Sequence, residues 1–296
     1  MKKIIITGAT GFIGSNLVKY LIEHNYDIAI IVRESSTLKI LDTELSKITV
    51  FRYNGNLECL IDFFKDFQAD AVVHLAAYFV AEHMPTQIDS LVDSNIRFSM
   101  HIAEAMHQSG VKNMINTSTS WQHYQDQEYN PASLYAATKQ AVEDIFKYYS
   151  DAWSFNIINL VIYDSFGIDD SRNKIISLFR KIANTGDVLY MSEGDQKVDL
   201  VYITDIIEAY MISLERILDN KCKGFHKYYL KSGNEKSLKE IAEIFSKVFD
   251  VSLPIAWGKR PYRMREVMSS YPLGEQLPGW DTQITLEEGL TLIKNN

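Results

Sequence analysis

Cysteine is almost missing from this chain. Of 296 residues only Cys59 and Cys222 are cysteines, far apart and in no CxxC pair. That excludes a zinc ribbon, a dithiol redox motif and a disulfide-built scaffold, and it suits a reducing compartment. The seven histidines form no HxxxH pair, so no metal site is expected. No apolar run approaches the ~20 residues of a membrane span. The opening MKKIIITG begins like a secretory signal, but its apolar run stops at Ile6. That is too short for a signal core, and a cytoplasmic protein is expected. Positive charge is also short, with 30 Lys and Arg against 38 Asp and Glu, a formal net charge of −8. Such a surface attracts neither nucleic acid nor anionic membrane, although a local basic pocket can still take a phosphorylated small molecule. Low-complexity linkers and internal repeats are absent, which removes disordered and solenoid classes.

What remains is a soluble-type composition, 46% hydrophobic and 23% charged, long enough for one large domain or a main domain with a smaller one attached. Short β-rich runs at 3–7, 28–33, 48–53, 71–76, 113–117 and 157–162 alternate with amphipathic stretches. Most of these runs are continuously apolar, as in strands covered on both faces. In the intervening stretches Ile13, Leu17, Val18 and Leu21 share one helical face, as do Phe98, Ile102, Ala105 and Met106. The alternation predicts an α/β fold, a Rossmann-type doubly wound parallel sheet with right-handed crossovers. Beyond Gly167 the pattern predicts a helix at 174–183, a strand at 199–203, and helices at 205–217 and 238–249. An irregular segment rich in Pro, Gly and Arg follows at 254–278. Residues 1–166 with 198–232 are expected to form the dinucleotide-binding domain. Residues 167–197 with 233–296 are expected to form a smaller C-terminal α/β substrate lobe.

The run Thr7-Gly8-Ala9-Thr10-Gly11-Phe12-Ile13-Gly14 lies between the first strand and the first helix. Gly8 allows a tight turn, Gly11 lets backbone approach a pyrophosphate, and Gly14 lets the helix pack on the sheet. The helix N-terminus offers free N–H groups and a partial positive charge to the phosphates. At the end of the second strand stands Arg33, followed by Glu34. An acidic residue there binds the ribose hydroxyls of NAD, whereas arginine accommodates the 2′-phosphate of NADP, so NADP(H) is the expected cofactor. Further on, Tyr135 and Lys139 are four residues apart and share one helical face. Carbonyl reduction needs a hydride and a proton. An isolated tyrosine, pKa ~10, holds its proton tightly, and a neighbouring Lys⁺ is expected to lower that pKa. Four hydroxyls, Thr117-Ser118-Thr119-Ser120, stand near the end of the fifth strand, where one can hydrogen-bond the substrate oxygen as charge develops.

TGATGFIG, with its GxxGxxG spacing, and the downstream Tyr135-Ala-Ala-Thr-Lys139 resemble the extended short-chain dehydrogenase/reductase family of sugar-nucleotide epimerases, dehydratases and reductases. The resemblance covers nearly the whole chain. It implies that Thr119 is the catalytic hydroxyl, with Ser118 the next candidate. It implies that Lys139 also hydrogen-bonds the nicotinamide ribose. Cofactor contacts are implied for Gly8, Thr10, Gly11, Phe12, Ile13, Gly14 and Arg33. They extend to Asn56 and Leu57 of the Gly-Asn-Leu turn, where the family has Asp, to Leu75, Ala76 and Ala77, and to Thr117, Tyr135, Lys139 and Ile162. His74 is read as a satisfied core histidine. Substrate contacts are implied for Tyr78, Ser120, Trp121, Arg172 and Lys174, with Arg172 as a phosphate fork. Arg260, Arg263 and Arg265 form a second basic group. Asp164 replaces an asparagine common in the family, and a carboxylate there must be paired to sit near a diphosphate.

The runs 116–124 and 130–139 look especially like the branch that reduces CDP-linked 4-keto-3,6-dideoxyhexoses for surface polysaccharide. A dehydratase of this family carries an acid pair after the catalytic hydroxyl, and Ser120 and Trp121 stand there instead. The expected partner is a nucleotide-sugar substrate, and the family resemblance implies a homodimer. A 4-epimerase with tightly bound NAD and a non-enzymatic NADP sensor are the alternatives.

Overall fold

The computed structural model describes residues 1–296. Six strands open the chain: β1 (Lys3–Thr7), β2 (Asp27–Arg33), β3 (Ile48–Tyr53), β4 (Ala71–His74), β5 (Asn113–Thr119) and β6 (Asn156–Ile162). Four short strands follow: β7 (Asp164–Phe166), β8 (Leu189–Tyr190), β9 (Lys197–Val198) and β10 (Leu200–Tyr202). Then come β11 (Phe225–Leu230), β12 (Lys236–Ser237) and β13 (Ile255–Ala256). The main sheet has the order β3-β2-β1-β4-β5-β6-β11, with every pair parallel. The order reverses between β1 and β4, and the crevice beyond the carboxyl ends of those two strands is where open α/β sheets bind ligands.

The helices are α1 (Phe12–Glu23), α2 (Leu57–Phe67), α3 (Ile88–Leu91), α4 (Phe98–Ser109), α5 (Leu134–Trp153), α6 (Ile175–Thr185), α7 (Ile203–Leu218), α8 (Leu238–Phe249) and α9 (Leu286–Lys294). None is long and apolar enough to cross a membrane. On one sheet face Leu60 and Phe64 of α2, Ile102 and Met106 of α4, and Val142 and Phe146 of α5 pack against Ile5, Val72, Met114 and Ile157. On the other face Leu17 and Leu21 of α1 and Ile206 and Tyr210 of α7 join Ile4, Ile6 and Ile158. That second core continues without a break into the C-terminal lobe, through Phe179 of α6, Phe245 of α8 and Leu290 of α9. One apolar core thus ties the C-terminal residues to the sheet. Fully burying a side chain such as Phe179 contributes about 1.5–3 kcal/mol, so the joint is firm.

The predicted elements are present, with shifts at their ends. β4 stops at His74, two residues short of the expectation. Its chain is diverted because the glycine loop crosses there: a Cβ on Gly8 would lie 2.7 Å from the Ala76 amide nitrogen. β5 continues two residues further than expected, because Ser118 and Thr119 still find Val161 and Ile162 across the ladder. The 254–278 segment is irregular apart from β13. One feature has no counterpart in the sequence reading: between α3 and α4 the helix is π-helical over Val92–Arg97. π-turns of this kind often accompany functional sites.

Candidate active site

The phosphate loop is built as the glycines require. Gly8 has φ +71°, a left-handed conformation that favours glycine. A Cβ on Gly14 would sit 2.2 Å from the Gly8 carbonyl oxygen, so α1 could not close on the sheet with any side chain there. Gly11 caps α1, with no side-chain cap and no acidic residue in the first turn. The first-turn amides keep their capacity for an anion. Beside the loop lies a cleft of about 490 Å³, bounded among others by Gly8, Thr10, Gly11, Arg33, Ala76 and Ala77. This glycine cradle, which side chains would fill, fits a dinucleotide.

The remaining expected cofactor residues divide. Leu75 lines the cleft. Phe12 is buried beside it, with Ile13 next on α1 and Ile162 at the end of β6. Asn56 does not line the cleft, and neither does Leu57. The Asn56 side chain accepts from the Cys59 amide at 3.2 Å and caps α2, while Asn54 and Gly55 take its place at the wall. The Thr117 hydroxyl is bonded to Tyr210 at 2.6 Å, on the α7 side of the sheet. Tyr78, expected on the substrate side, borders the cofactor cleft. Asn95 of the π-turn holds it there, accepting from the Tyr78 amide at 2.6 Å and donating to its carbonyl at 3.1 Å. The same Asn95 amide donates to Thr138 on α5 at 2.9 Å. His74 is the satisfied core histidine expected, with its ring nitrogens 2.9 Å from Thr7 and Ser99 hydroxyls. Burial, reinforced by the Lys139 charge, holds its pKa down to about 3, so it is neutral.

Tyr135 and Lys139 lie one turn apart near the start of α5, whose N-terminus Ser133 caps by accepting from the Ala136 amide at 3.2 Å. Phe79 presses edge-on against the Tyr135 ring, 5.0 Å between centroids. Burial lowers Lys139 to about 8, with the Glu143 charge pulling in the opposite direction. Burial pushes the Tyr135 phenol up, not down. This reverses the lowering expected from Lys139. The reason is that both groups are enclosed, and enclosure favours the neutral form of each. The phenol therefore holds its proton.

Thr119 ends β5, nearly buried, with its Oγ1 accepting from the Trp121 amide at 3.3 Å. Ser118 points to the opposite face, where Gln122 and Glu143 enclose its hydroxyl. Thr119 and Ser118 thus face opposite sides of the sheet, and the Ser118 hydroxyl is the more fully engaged of the two. Ser120 and Trp121 line a second cavity of about 260 Å³, together with Phe79, Lys174, Arg263 and Ser270. Asp164 lines this cavity, and its pairing with Lys174 at 2.8 Å compensates the carboxylate. Trp121 and Arg263 also border a third cavity of about 600 Å³, which Arg265 and Asn130 help enclose. Arg263 stacks over Trp121 at 5.1 Å and is held by Glu266. Arg172, expected as a phosphate fork, has its fork occupied. It donates to Asp170 and to Ser165, and it stacks on Phe12 at 4.4 Å.

Sequence reasoning missed Phe79, Asn95, Glu143 and Glu266. Glu143, one helical turn beyond Lys139, and Glu266, three residues beyond Arg263, carried local signals. The others act through contacts made by folding.

The model for the NAD dependent epimerase/dehydratase family matches residues 4–224. CDP-abequose synthase of Yersinia pseudotuberculosis is 28% identical over 273 residues, covering 90% of this chain and 91% of that protein. The protein of the same name from Salmonella muenchen is 28% identical over 295 residues, covering 98% and 96%. Among solved structures, UDP-glucose 4-epimerase of Thermotoga maritima, crystallised with UDP-glucose, superposes with a TM-score of 0.85 at 20% identity. It covers 99% of this chain and 97% of that one, a likeness of fold. With its glycine cradle and its Thr119, Tyr135 and Lys139, the chain belongs to the NAD dependent epimerase/dehydratase family of enzymes that act on sugar nucleotides.

Proposed function

We propose that the chain reduces the 4-keto group of a nucleotide-linked deoxy sugar, a CDP-4-keto-3,6-dideoxyhexose, using NADPH, to make a sugar for surface polysaccharide. The carrying observation is Tyr135 one turn before Lys139 at the start of α5, its phenol kept protonated by burial, with Ser120 and Trp121 where a dehydratase has acids. The name of the two CDP-abequose synthases supports the sugar class. Arg33, exposed at the cleft wall, supports NADP.

Gly8, Thr10, Gly11, the first-turn amides of α1, Arg33 and Leu75 to Ala77 hold the dinucleotide. When bound, it supplies the hydride. Tyr135 donates its proton to the sugar oxygen, and Thr119 hydrogen-bonds the same oxygen as charge develops. Lys139 stabilises the phenolate that remains and binds the nicotinamide ribose. Ser120, Trp121 and Lys174 orient the sugar and its diphosphate. The enzyme works as a cytoplasmic homodimer. Exposed Met100 on α4 and Tyr148 and Trp153 on α5 support helix-face pairing.

The test is incubation with NADPH and CDP-4-keto-3,6-dideoxyglucose, following absorbance loss and product. Stoichiometric oxidation supports reduction. Product without net oxidation would favour a 4-epimerase with retained NAD. No turnover of CDP- or dTDP-linked keto sugars would leave cofactor binding as the function.

A further inference from the structure

On the buried face of the catalytic helix lies a carboxylate that the reaction itself does not use. Glu143, 4% exposed, stands one turn after Lys139 on α5. Its Oε2 accepts from Lys227 Nζ of β11 at 2.9 Å. Its Oε1 accepts from the Ser118 hydroxyl, and Ser118 immediately precedes Thr119. The Lys227 side chain keeps about a quarter of its surface in solvent, so water reaches it. A buried carboxylate is retained only when it is paired and hydrogen-bonded, and here every partner leads to the catalytic centre or to the sheet that carries it.

We infer that Glu143 is a positioning residue: it pins the end of β5 to the Tyr135/Lys139 helix and keeps the charge on Lys139, with Lys227 setting how much of the Glu143 charge Lys139 feels. The inference rests on the reading of Tyr135 and Lys139 as the catalytic pair. The titratable groups around this centre are His74 on β4, His123 in the loop after β5, Tyr135 and Glu143 on α5, and Lys227 and Tyr229 on β11. His74 is neutral by burial, and burial lowers His123 as well. Glu143 is thus the anion that offsets the enclosure of Lys139. A like charge nearby disfavours a cation and an opposite one favours it. Neutralising Glu143 and neutralising Lys227 must therefore move Lys139 in opposite directions.

The experiment follows NADPH binding by its fluorescence as pH is raised through the alkaline range, in the full-length protein with no sugar present. In the parent protein affinity falls as Lys139 loses its proton, a transition centred at about pH 8. Glu143→Gln keeps volume and the Ser118 contact, and it is expected to bring the transition down by roughly half a pH unit or more. Lys227→Met is expected to move it up. General damage to the fold would move both variants the same way. Coincident curves, or shifts of one sign, overturn the inference. Lys139→Met is the control and must flatten the curve. If it does not, the catalytic pair itself has been misread, and Glu143 is not at fault.

Discussion

Arg52 on β3 reaches across to the end of β2 and donates its Nη1 to the Glu34 carbonyl at 2.9 Å, with the Arg33 and Ser36 carbonyls at 3.4 and 3.3 Å. One guanidinium thus ties down the turn from which Arg33 faces the cleft. The backbone oxygens there are turned toward Arg52, which leaves the Arg33 side chain as the cation available to an incoming phosphate. A charge-assisted hydrogen bond contributes about 1.5–3 kcal/mol, or roughly ten- to a hundred-fold in affinity. Arg33→Ala is expected to raise the KM for NADPH by about that factor and leave the KM for NADH unchanged. Arg52→Ala should act in the same direction, more weakly. Steady-state assays with both cofactors check this, and equal use of NADH by the parent protein would defeat the NADP assignment.

Arg172 joins two parts that must close on each other. Its guanidinium lies over Phe12 of the phosphate loop, while its nitrogens hold Ser165 and Asp170 at the entry to the C-terminal lobe. Gly167 completes the joint, since a Cβ there would lie 2.5 Å from an Ile203 methyl and 3.2 Å from the Phe12 ring. The expected phenotype of Arg172→Ala is therefore weakened cofactor binding, by a few-fold, on the ~1 kcal/mol scale of a partly desolvated cation–π contact. Calorimetric titration with NADPH alone reads this. A normal cofactor Kd with a large rise in sugar KM would instead restore the phosphate-fork role.

The Phe12–Arg172 contact also marks the boundary of what the sequence can tell. Buried parallel strands write themselves as apolar runs such as Ile4 to Ile6 and Ile157 to Ile162, and the glycine spacing and Tyr135/Lys139 spacing are local. All of these can be read directly. Arg172 reads as a free cation because folding alone decides that Asp170, two residues earlier, turns back onto its fork and that Phe12, 160 positions earlier, lies under it. Asn56 reads as a cofactor contact because its capping of α2 depends on where that helix begins. The direction of the Tyr135 shift escapes the sequence because enclosure, which no spacing encodes, outweighs the lysine beside it.

Tyr135→Phe removes the proton donor and leaves the ring that Phe79 packs against. Loss of a positioned general acid costs typically 10²–10⁴-fold in rate. The expected result is a kcat lower by about three orders of magnitude with NADPH affinity near that of the parent. Thr119→Val should lower kcat by about 10²-fold, whereas Ser118→Ala should leave the substrate-oxygen contact intact. A Ser118 variant more damaged in kcat than the Thr119 variant would exchange their roles.

The final consequence concerns stability and its pH dependence. Enclosure lowers Lys139 from its ordinary value near 10.5 to about 8 in the folded protein. Between those two values the unfolded chain binds more protons than the folded one, so stability should rise with pH across that window. Below about pH 8 the folded protein carries a buried cation that costs on the order of 1–3 kcal/mol. Lys139→Met removes the cation and keeps most of the side-chain volume. Without cofactor, this variant should melt several degrees above the parent at neutral pH. The difference should shrink as pH approaches ~10. The gain comes with lost catalysis, the exchange expected of a charge kept for function. Thermal melts of both proteins over this pH range decide it, and a Lys139→Met variant less stable than the parent at neutral pH would mean that Glu143 more than compensates the buried charge.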